Sequence, residues 1–246
     1  MRLGGKRALV TGGSDGIGLA ITEAFLREGA EVLIVGRDAR KLDAARQKLG
    51  TGVETLSADL ATSAGIDAVV ERVKESSRPL DVLVNNAGVA FLVAFETVSQ
   101  QQFQQSFALN VTAAFFLTQR LLPHFTPSGA SVINISSYFA NKMIPKRPSS
   151  LYSLSKGALN SLTKSLAFEV GPRGIRVNAI APGIFLTPML QGLPPETQTS
   201  LGAAVPFPKR LGDPAEYADL VLTIVRNGYL NGEVIRLDGA LRMQPR

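Results

Sequence analysis

The chain contains no cysteine, no tryptophan and a single histidine, His124. Without cysteine there can be no disulfide, no thiolate metal ligand and no cysteine nucleophile. A Ser-His-Asp triad would have to use His124, which stands in "LLPHF" just after a predicted helix; it reads as a helix-end or surface residue. No metal site is expected. Long apolar runs are also missing. The opening "MRLGGKRALVTGG" is too short in apolar residues for a signal peptide, and no later stretch approaches the ~18 apolar residues of a membrane span. A soluble, cytoplasmic protein is the expectation. Blocks of one charge sign are absent too: 26 basic and 20 acidic residues give +6, scattered in ones and twos. That pattern argues against a nucleic-acid partner and leaves a mild preference for anionic ligands such as phosphorylated cofactors or carriers. No linker rich in Pro, Gly or Ser divides the chain, so residues 1–246 read as one domain with a sizeable core.

What is present is a repeating order of strand and helix. "RALVT" (7–11) is a short apolar run ending in glycines, and "IGLAITEAFLREG" after it carries apolar residues at helical spacing. The unit recurs: "EVLIVG" (31–36) before "ARKLDAARQKLG", "VETLSA" (53–58) before "GIDAVVERVKES", and "LDVLVNNAG" (80–88) before a helix around 100–122. "SVINIS" (131–136) precedes a helix from Tyr152 to Val170, "IRVNAIAPG" (175–183) precedes a helix at 214–226, and "GEVIRLDG" (232–239) closes the series. Strands this apolar and unalternating belong to a parallel sheet covered on both faces. The fold class is therefore α/β: a single-domain, Rossmann-type, doubly wound parallel sheet of about seven strands with helices on both faces. The Pro-containing region of about 184–213 reads as a long functional loop with a small helix.

Two stretches carry candidate chemistry. "TGGSDGIG" (Thr11 to Gly18) lies at the first strand-to-helix junction, where a dinucleotide pyrophosphate sits in such sheets. Its Gly12, Gly16, Gly18 spacing differs from G-x-G-x-x-G, and the junction position favours cofactor binding over a merely structural turn. "SSLYSLSKGAL" (149–159) sets Tyr152 four residues before Lys156, on one helix face, so both can enter one cleft. It also contains Ser153-x-x-Lys156, the pattern of penicillin-recognising acyl-enzymes. Those enzymes need Ser-Asp-Asn and Lys-Thr-Gly elements as well, and neither tripeptide occurs.

With that glycine spacing, "NNAG" (85–88), Asn110 in "FALNVTAAF", the serines of "INISS", Tyr152 with Lys156, and "APG" (181–183), the chain resembles the short-chain dehydrogenase/reductase family over essentially its whole length. The final third is similar to members that oxidise 3-hydroxyacyl-CoA and hydroxysteroids. The resemblance implies a catalytic set of Asn110, Ser137, Tyr152 and Lys156. Tyr152 would be general acid or base, its phenol lowered from near ~10 by the ammonium and by an oxidised nicotinamide. Ser137, chosen over Ser136 by the "ISS" pattern, would hold the substrate carbonyl. Lys156 would also hold the nicotinamide ribose, and Asn110 would sit in a helix and order a proton-passing water. Fifteen residues separate Ser137 from Tyr152, slightly more than is usual in the family, and the excess lies in "NKMIPKRPSS". Its Lys142, Lys146 and Arg147, beside Met143 and Ile144, suit either a phosphate-bearing acyl substrate or a solvated basic loop.

For the coenzyme, the resemblance implies contacts from Gly12, Ser14, Asp15, Gly16, Ile17 and Gly18 in the turn. Asp59 and Leu60 would flank the adenine, Asn86 its ribose, with Ala87 and Gly88 beside them. Pro182, Gly183, Phe185 and Thr187 would meet the nicotinamide end. Gly36 stands where NAD-dependent members place an acidic residue, and Arg37 follows, able to pair with a 2′-phosphate. Asp15 opposes this, since NADP-dependent members often have a basic residue there. NADP(H) is favoured, with NAD(H) the alternative. The expected activity is hydride transfer between NADP(H) and a carbonyl or secondary alcohol, with a 3-oxoacyl thioester on coenzyme A or acyl-carrier protein, or an apolar ketone, as substrate. The apolar "GVAFLVAF" (88–95) supports that substrate class. The alternatives are an NAD-dependent 3-hydroxyacyl-CoA or hydroxysteroid dehydrogenase, and a non-catalytic NADP(H)-binding protein. The family is usually tetrameric, and the apolar "AAFFL" (113–117) fits a homotetramer without nucleic-acid or membrane partners.

Overall fold

Successive residues of a strand point to opposite sheet faces, so a strand buried on both sides needs aliphatic and β-branched residues at every position. In the computed structural model, which describes residues 2–140 and 148–241, the central strands meet that requirement. β1 (Arg7–Thr11), β2 (Glu31–Gly36), β3 (Val53–Ser57), β4 (Val82–Asn85), β5 (Ala130–Ile135), β6 (Ile175–Pro182) and β7 (Val234–Leu237) form one sheet. Their order is β3-β2-β1-β4-β5-β6-β7, with every pair parallel. Val10, Ile34, Val84 and Ile133 face one side, where α1 (Gly16–Arg27), α2 (Ala39–Leu49) and α9 (Pro214–Arg226) cover them. Leu9, Leu33, Leu83 and Val132 face the other, under α3 (Ser63–Glu75), α5 (Ala113–Leu121) and α6 (Ser150–Val170).

Helix starts follow side-chain caps. Asp15 accepts from Gly16 N, Asp38 from Arg40 N and Lys41 N, and Thr62 from Gly65 N. Asp213 and Glu216 form a capping box around Pro214, which needs no donor at the first helical position. The same Asp213 follows Gly212, whose N–H and C=O bond Ile184 O and Leu186 N at 2.9 and 2.8 Å. These two bonds pin the base of the 184–213 loop.

The structure departs from the sequence expectation in four places. The helix expected over 100–122 is α4 (Gln100–Phe107), a π-helical segment Ala108–Thr112, and α5. The strand expected over 80–88 is confined to Val82–Asn85, because the chain leaves the sheet once Asn86 turns toward the first glycine loop. The closing strand is likewise shorter than 232–239. The 184–213 loop holds two helices, α7 (Pro188–Gln191) and α8 (Pro195–Ala203), instead of one, each opened by a proline. Among the described residues no helix is long and apolar enough to cross a membrane.

A row of buried polar side chains runs through this otherwise apolar interior. Asn85 Nδ2 on β4 donates to Thr118 Oγ1 on α5 at 3.1 Å and to Asn134 Oδ1 on β5 at 2.9 Å. Asn134 Nδ2 in turn donates to Thr163 Oγ1 on α6 at 2.9 Å. The row ties both helices to the strand ends that lead into the cleft. Replacing Asn134 by Leu keeps the branched outline but removes the acceptor of one Asn85 N–H and the donor to Thr163, whose hydroxyl keeps only Leu159 O. Urea unfolding is expected to report a loss of about 2 kcal/mol; a loss below ~0.5 kcal/mol would mean the row adds nothing to stability.

Candidate active site

Connections from β1 run toward β2 and β3 on one side, while β4 and the later strands lie on the other. The carboxyl ends of β1 and β4 therefore diverge and open a crevice. The glycine turn lines it. A Cβ at Gly18 would lie 2.1 Å from Gly12 O and 2.6 Å from Asn86 Nδ2, so the turn closes only on glycine there. Gly12 has φ of 65°, which glycine alone adopts without strain. Thr11 Oγ1 accepts from both Asn86 N and Ala87 N at 2.9 Å, and Asn86 Nδ2 donates back to Thr11 O and Gly12 O. The Asn86 carboxamide thereby fastens the turn to β4.

A cavity of about 600 Å³ extends from this turn, lined by Gly12, Ser14, Asp15, Gly36, Arg37, Asp38, Lys41, Leu60, Ala87, Gly88 and Leu109. Helix geometry leaves the first-turn amides of Ile17 and Gly18 without carbonyl partners inside α1. Glycines for close approach, unpaired amides, cations at the far end and a buried Leu60 wall together suit an elongated, phosphate-bearing dinucleotide. Asp59 does not line the cavity: its carboxylate accepts from Ala61 N, 3.0 Å away, in a turn. Pro182 ends β6, and Gly183 packs so close to the end of β7 that a Cβ would meet Asp238 Cα at 2.8 Å. Thr187 lies against Gly16, with its Cγ2 3.5 Å from where a Cβ would stand. The Phe185 ring, expected at the cofactor, is instead core: it meets Tyr217 edge-on with centroids 5.4 Å apart and packs on Gly212, so only its backbone remains for a ligand.

The cations and carboxylates at the β2 end are sorted by geometry. Asp38 caps α2, at 2.9 Å from Arg40 N. Asp15 divides its oxygens, Oδ1 accepting from Gly16 N at 2.8 Å and Oδ2 from Lys41 Nζ at 2.6 Å. The Arg37 guanidinium makes no hydrogen bond or ion pair among the described residues and is exposed at the cavity wall.

The remaining expected residues converge past Gly88. Lys156 is 4 % exposed, and its Nζ donates to Ile135 O at 2.7 Å. Burial lowers its pKa to about 8. Its Nζ sits 5.9 Å from the Tyr152 ring centroid. Ser137 and Ser136 lie just past β5. Ser136 is turned into α6, bonding Asn160 Oδ1 at 2.6 Å, whereas Ser137 bonds the Tyr152 phenol and accepts from Phe139 N at 3.3 Å. In the chain by itself, burial raises the phenol's pKa, and the Ser137 hydrogen bond only partly opposes this. The Lys156 ammonium, itself desolvated and bonded to Ile135 O, does not outweigh that burial, while the lowering expected from an oxidised nicotinamide belongs to the loaded cleft. At neutral pH Tyr152 is a protonated donor.

Asn110 sits in the π segment, not in a regular helix. Its Oδ1 accepts from Val89 N and its Nδ2 donates to Val89 O, both at 2.8 Å, and to Ser155 Oγ at 3.0 Å. A Cβ on Gly88 would stand 3.1 Å from Asn110 Oδ1 and 3.4 Å from Lys156 Nζ, which puts Asn110 and Lys156 on either side of one point. The basic residues 142–147 lie outside the described residues. Sequence reasoning missed Ser155, Asn160, Phe139 and Lys41. Ser155, three residues after Tyr152, and Asn160, four after Lys156, were visible as same-face neighbours on α6; Phe139, edge-on to Tyr152 at 5.7 Å, and Lys41 carried no motif.

Comparison with known proteins is consistent across the chain. A family model described as short chain dehydrogenase matches residues 6–198. The 3-hydroxyacyl-CoA dehydrogenase type-2 of Bos taurus is 36% identical over 254 residues, 98% of this chain and 97% of the relative. A 3alpha-hydroxysteroid dehydrogenase of Mediterraneibacter gnavus is 37% identical over 251 residues, covering 98% and 99%. Among solved structures, the Pseudomonas aeruginosa RhlG/NADP active-site complex superposes with a TM-score of 0.91 at 35% identity, with 98% of each chain covered.

The buried Lys156 has a consequence for stability. Its folded pKa of about 8 lies below the unfolded 10.5, so the unfolded chain binds the extra proton between those values. Stability from this residue is therefore poorest below about pH 8 and improves as pH rises to 10.5. Lys156→Met removes the ammonium, and its stability relative to the parent protein should decline by about 3 kcal/mol across that window. Parallel urea curves for both proteins, at neutral pH and near pH 10.5, check this; a constant difference would show that the lysine is not desolvated.

Proposed function

This chain belongs to the short-chain dehydrogenase family, and we propose that within it the protein is an NADP(H)-dependent oxidoreductase acting on a 3-oxoacyl thioester or a similarly apolar ketone and the corresponding alcohol. The observation that carries the reading is the meeting of Ser137, Tyr152, Lys156 and Asn110 at the Gly88 end of the dinucleotide-shaped cavity. A protein that only bound the dinucleotide could use Lys156 for the ribose but would have no need of a serine hydroxyl placed against the phenol there.

When bound, the nicotinamide supplies or accepts the hydride at the reacting carbon. The residues of this chain do the rest. Ile17 and Gly18 amides, with Gly12, Ser14 and Gly16, hold the pyrophosphate. Leu60 borders the adenine, with Ala87 and Gly88 lining its sugar and Asn86 fixing the turn beneath. Lys156 and Tyr152 hold the second ribose, and Pro182, Gly183, the Phe185 backbone and Thr187 border the nicotinamide. Arg37 meets the 2′-phosphate: Gly36 presents no carboxylate there, and Asp38 is engaged as a helix cap.

Ser137 donates to the substrate carbonyl oxygen and draws it toward Tyr152, whose burial-raised pKa keeps the proton ready for that oxygen. Lys156, with a pKa near about 8, supplies the next proton to the phenolate. Asn110 locks the π turn against Val89 so that the Lys156 side of the cleft keeps its shape. The acyl chain we assign to the exposed Leu92 and Phe95 that follow Gly88.

A second reading, an NAD-dependent 3-hydroxyacyl-CoA or hydroxysteroid dehydrogenase, is favoured by the activities of the relatives above. The two readings differ in coenzyme and direction, not in catalytic residues. We also infer a cytoplasmic homotetramer, since exposed Phe115 and Phe116 on α5 and Leu154 and Phe168 on α6 give those helices apolar outer faces.

Initial rates with acetoacetyl-CoA and with a bulky apolar ketone, each with NADPH and NADH, test the reading. Thioester reduction is expected with NADPH, falling by at least ~100-fold in Tyr152→Phe while NADPH binding persists. Near-full activity in Tyr152→Phe would overturn the mechanism, and turnover with NADH alone would select the second reading.

A further inference from the structure

A helix N-terminus carries positive partial charge, which favours acidic groups beside it. In α2 the N-cap Asp38 supplies one, and the turn after it holds two cations, Arg40 and Lys41. Arg40 is fully outside, 4.0 Å from Asp38 with a 96% exposed side chain. Lys41, also exposed, reaches along the cavity wall to Asp15 in the glycine turn 26 residues earlier in the chain.

That bridge changes what Asp15 means. Read from sequence alone, a carboxylate in the glycine turn repels a phosphorylated ribose. In the structure one oxygen caps α1 and the other is neutralised by Lys41, so Asp15 presents no uncompensated charge to the cavity. An ammonium has three donors and Asp15 takes one. The remaining donors of Lys41 sit at the wall of the same cavity as Gly36 and Arg37, at the positive end of α2.

We propose that Lys41, anchored by Asp15, is a second selectivity residue for the coenzyme, joining Arg37 in binding the 2′-phosphate. Arg37 offers an unpaired charge on a planar fork, and Lys41 the N–H donors that Asp15 leaves free, at the wall of the cavity they share with Gly36. A 2′-hydroxyl gains little from the Arg37 charge and cannot fill both sets of donors, whereas the oxygens of a 2′-phosphate can. Asp15 thus acts as the holder of a phosphate ligand while keeping its capping role.

This inference rests on the NADP(H) reading, and one titration separates the two. Dissociation constants for NADPH and NADH are measured by nicotinamide fluorescence for the parent protein, Arg37→Ala and Lys41→Ala. 2′-AMP and 5′-AMP serve as competitors that isolate the phosphate position. The parent is expected to prefer NADPH. Lys41→Ala should reduce the NADPH-to-NADH preference by roughly ten-fold and weaken competition by 2′-AMP far more than by 5′-AMP. If the parent prefers NADPH and Arg37→Ala abolishes that preference while Lys41→Ala leaves it intact, Lys41 has no such role and the NADP(H) reading stands. A parent that binds NADH as tightly as NADPH overturns the coenzyme reading and this inference with it. Lys41 is exposed and supports no core contact, so retained NADH binding in Lys41→Ala verifies that the variant is folded.

Discussion

The rest of the cleft is arranged around one unfavourable object, the ammonium of Lys156 enclosed in protein. A charge of this kind is tolerated only where hydrogen-bond acceptors replace water, and here the carbonyl of Ile135, at the very end of β5, does so. For that bond to form, α6 must lie close along the sheet. Asn134 reaching Thr163 and Ser136 reaching Asn160 hold it there, from the same strand end. Once α6 is in place, Tyr152 one turn earlier is carried under Ser137, and Ser155 meets Asn110. The burial that makes the lysine expensive also lowers its pKa to about 8, where a proton can be given up and regained near physiological pH.

The opposite end of the cavity is organised by the disposal of negative charge. Two carboxylates, Asp15 and Asp38, stand at the mouth of a site shaped for a phosphorylated ligand, and both are tied into helix caps. Capping removes them as obstacles and simultaneously fixes α1 and α2, whose N-termini then add favourable dipoles. With Asp15 also paired to Lys41, the cavity wall is left cationic at Arg37. The modest +6 of the whole chain gives no hint of this; the asymmetry is local and geometric.

Between the two ends, glycine and asparagine do complementary work. Gly18 lets the turn fold onto Gly12 at a distance no side chain permits, and Asn86 uses its carboxamide to bind that turn to β4. The same strand end presents Gly88 to Asn110 and Lys156. The glycine turn and the proton-handling residues, which are far apart in sequence, are thus joined by three residues of one strand exit.

The sequence alone determined the alternation of strand and helix and the parallel sheet, because each rests on local period; spacing put Tyr152 and Lys156 on one helix face and the glycines at one junction, and it was the resemblance carried by the ordered motif set that gave them their roles. Strand ends and the π segment around Asn110 were not legible: a π turn has no distinctive residue pattern and is set by what its side chain must reach, here the backbone of Val89. Ser136 and Ser137 are neighbours in the chain, and only the packing of α6 decided which one turns to Asn160 and which to Tyr152. Phe185 looked like a cofactor contact by position, yet the approach of Gly212 and Tyr217 drew its ring into the core. The direction of the Tyr152 shift was likewise decided by the tertiary structure, since desolvation depends on everything packed around the phenol, not on the lysine four residues away. Lys41 is the clearest case: nothing along the chain links it to Asp15, and the bridge exists because β1 and β2 lie side by side in the sheet, bringing the starts of their helices within reach of each other.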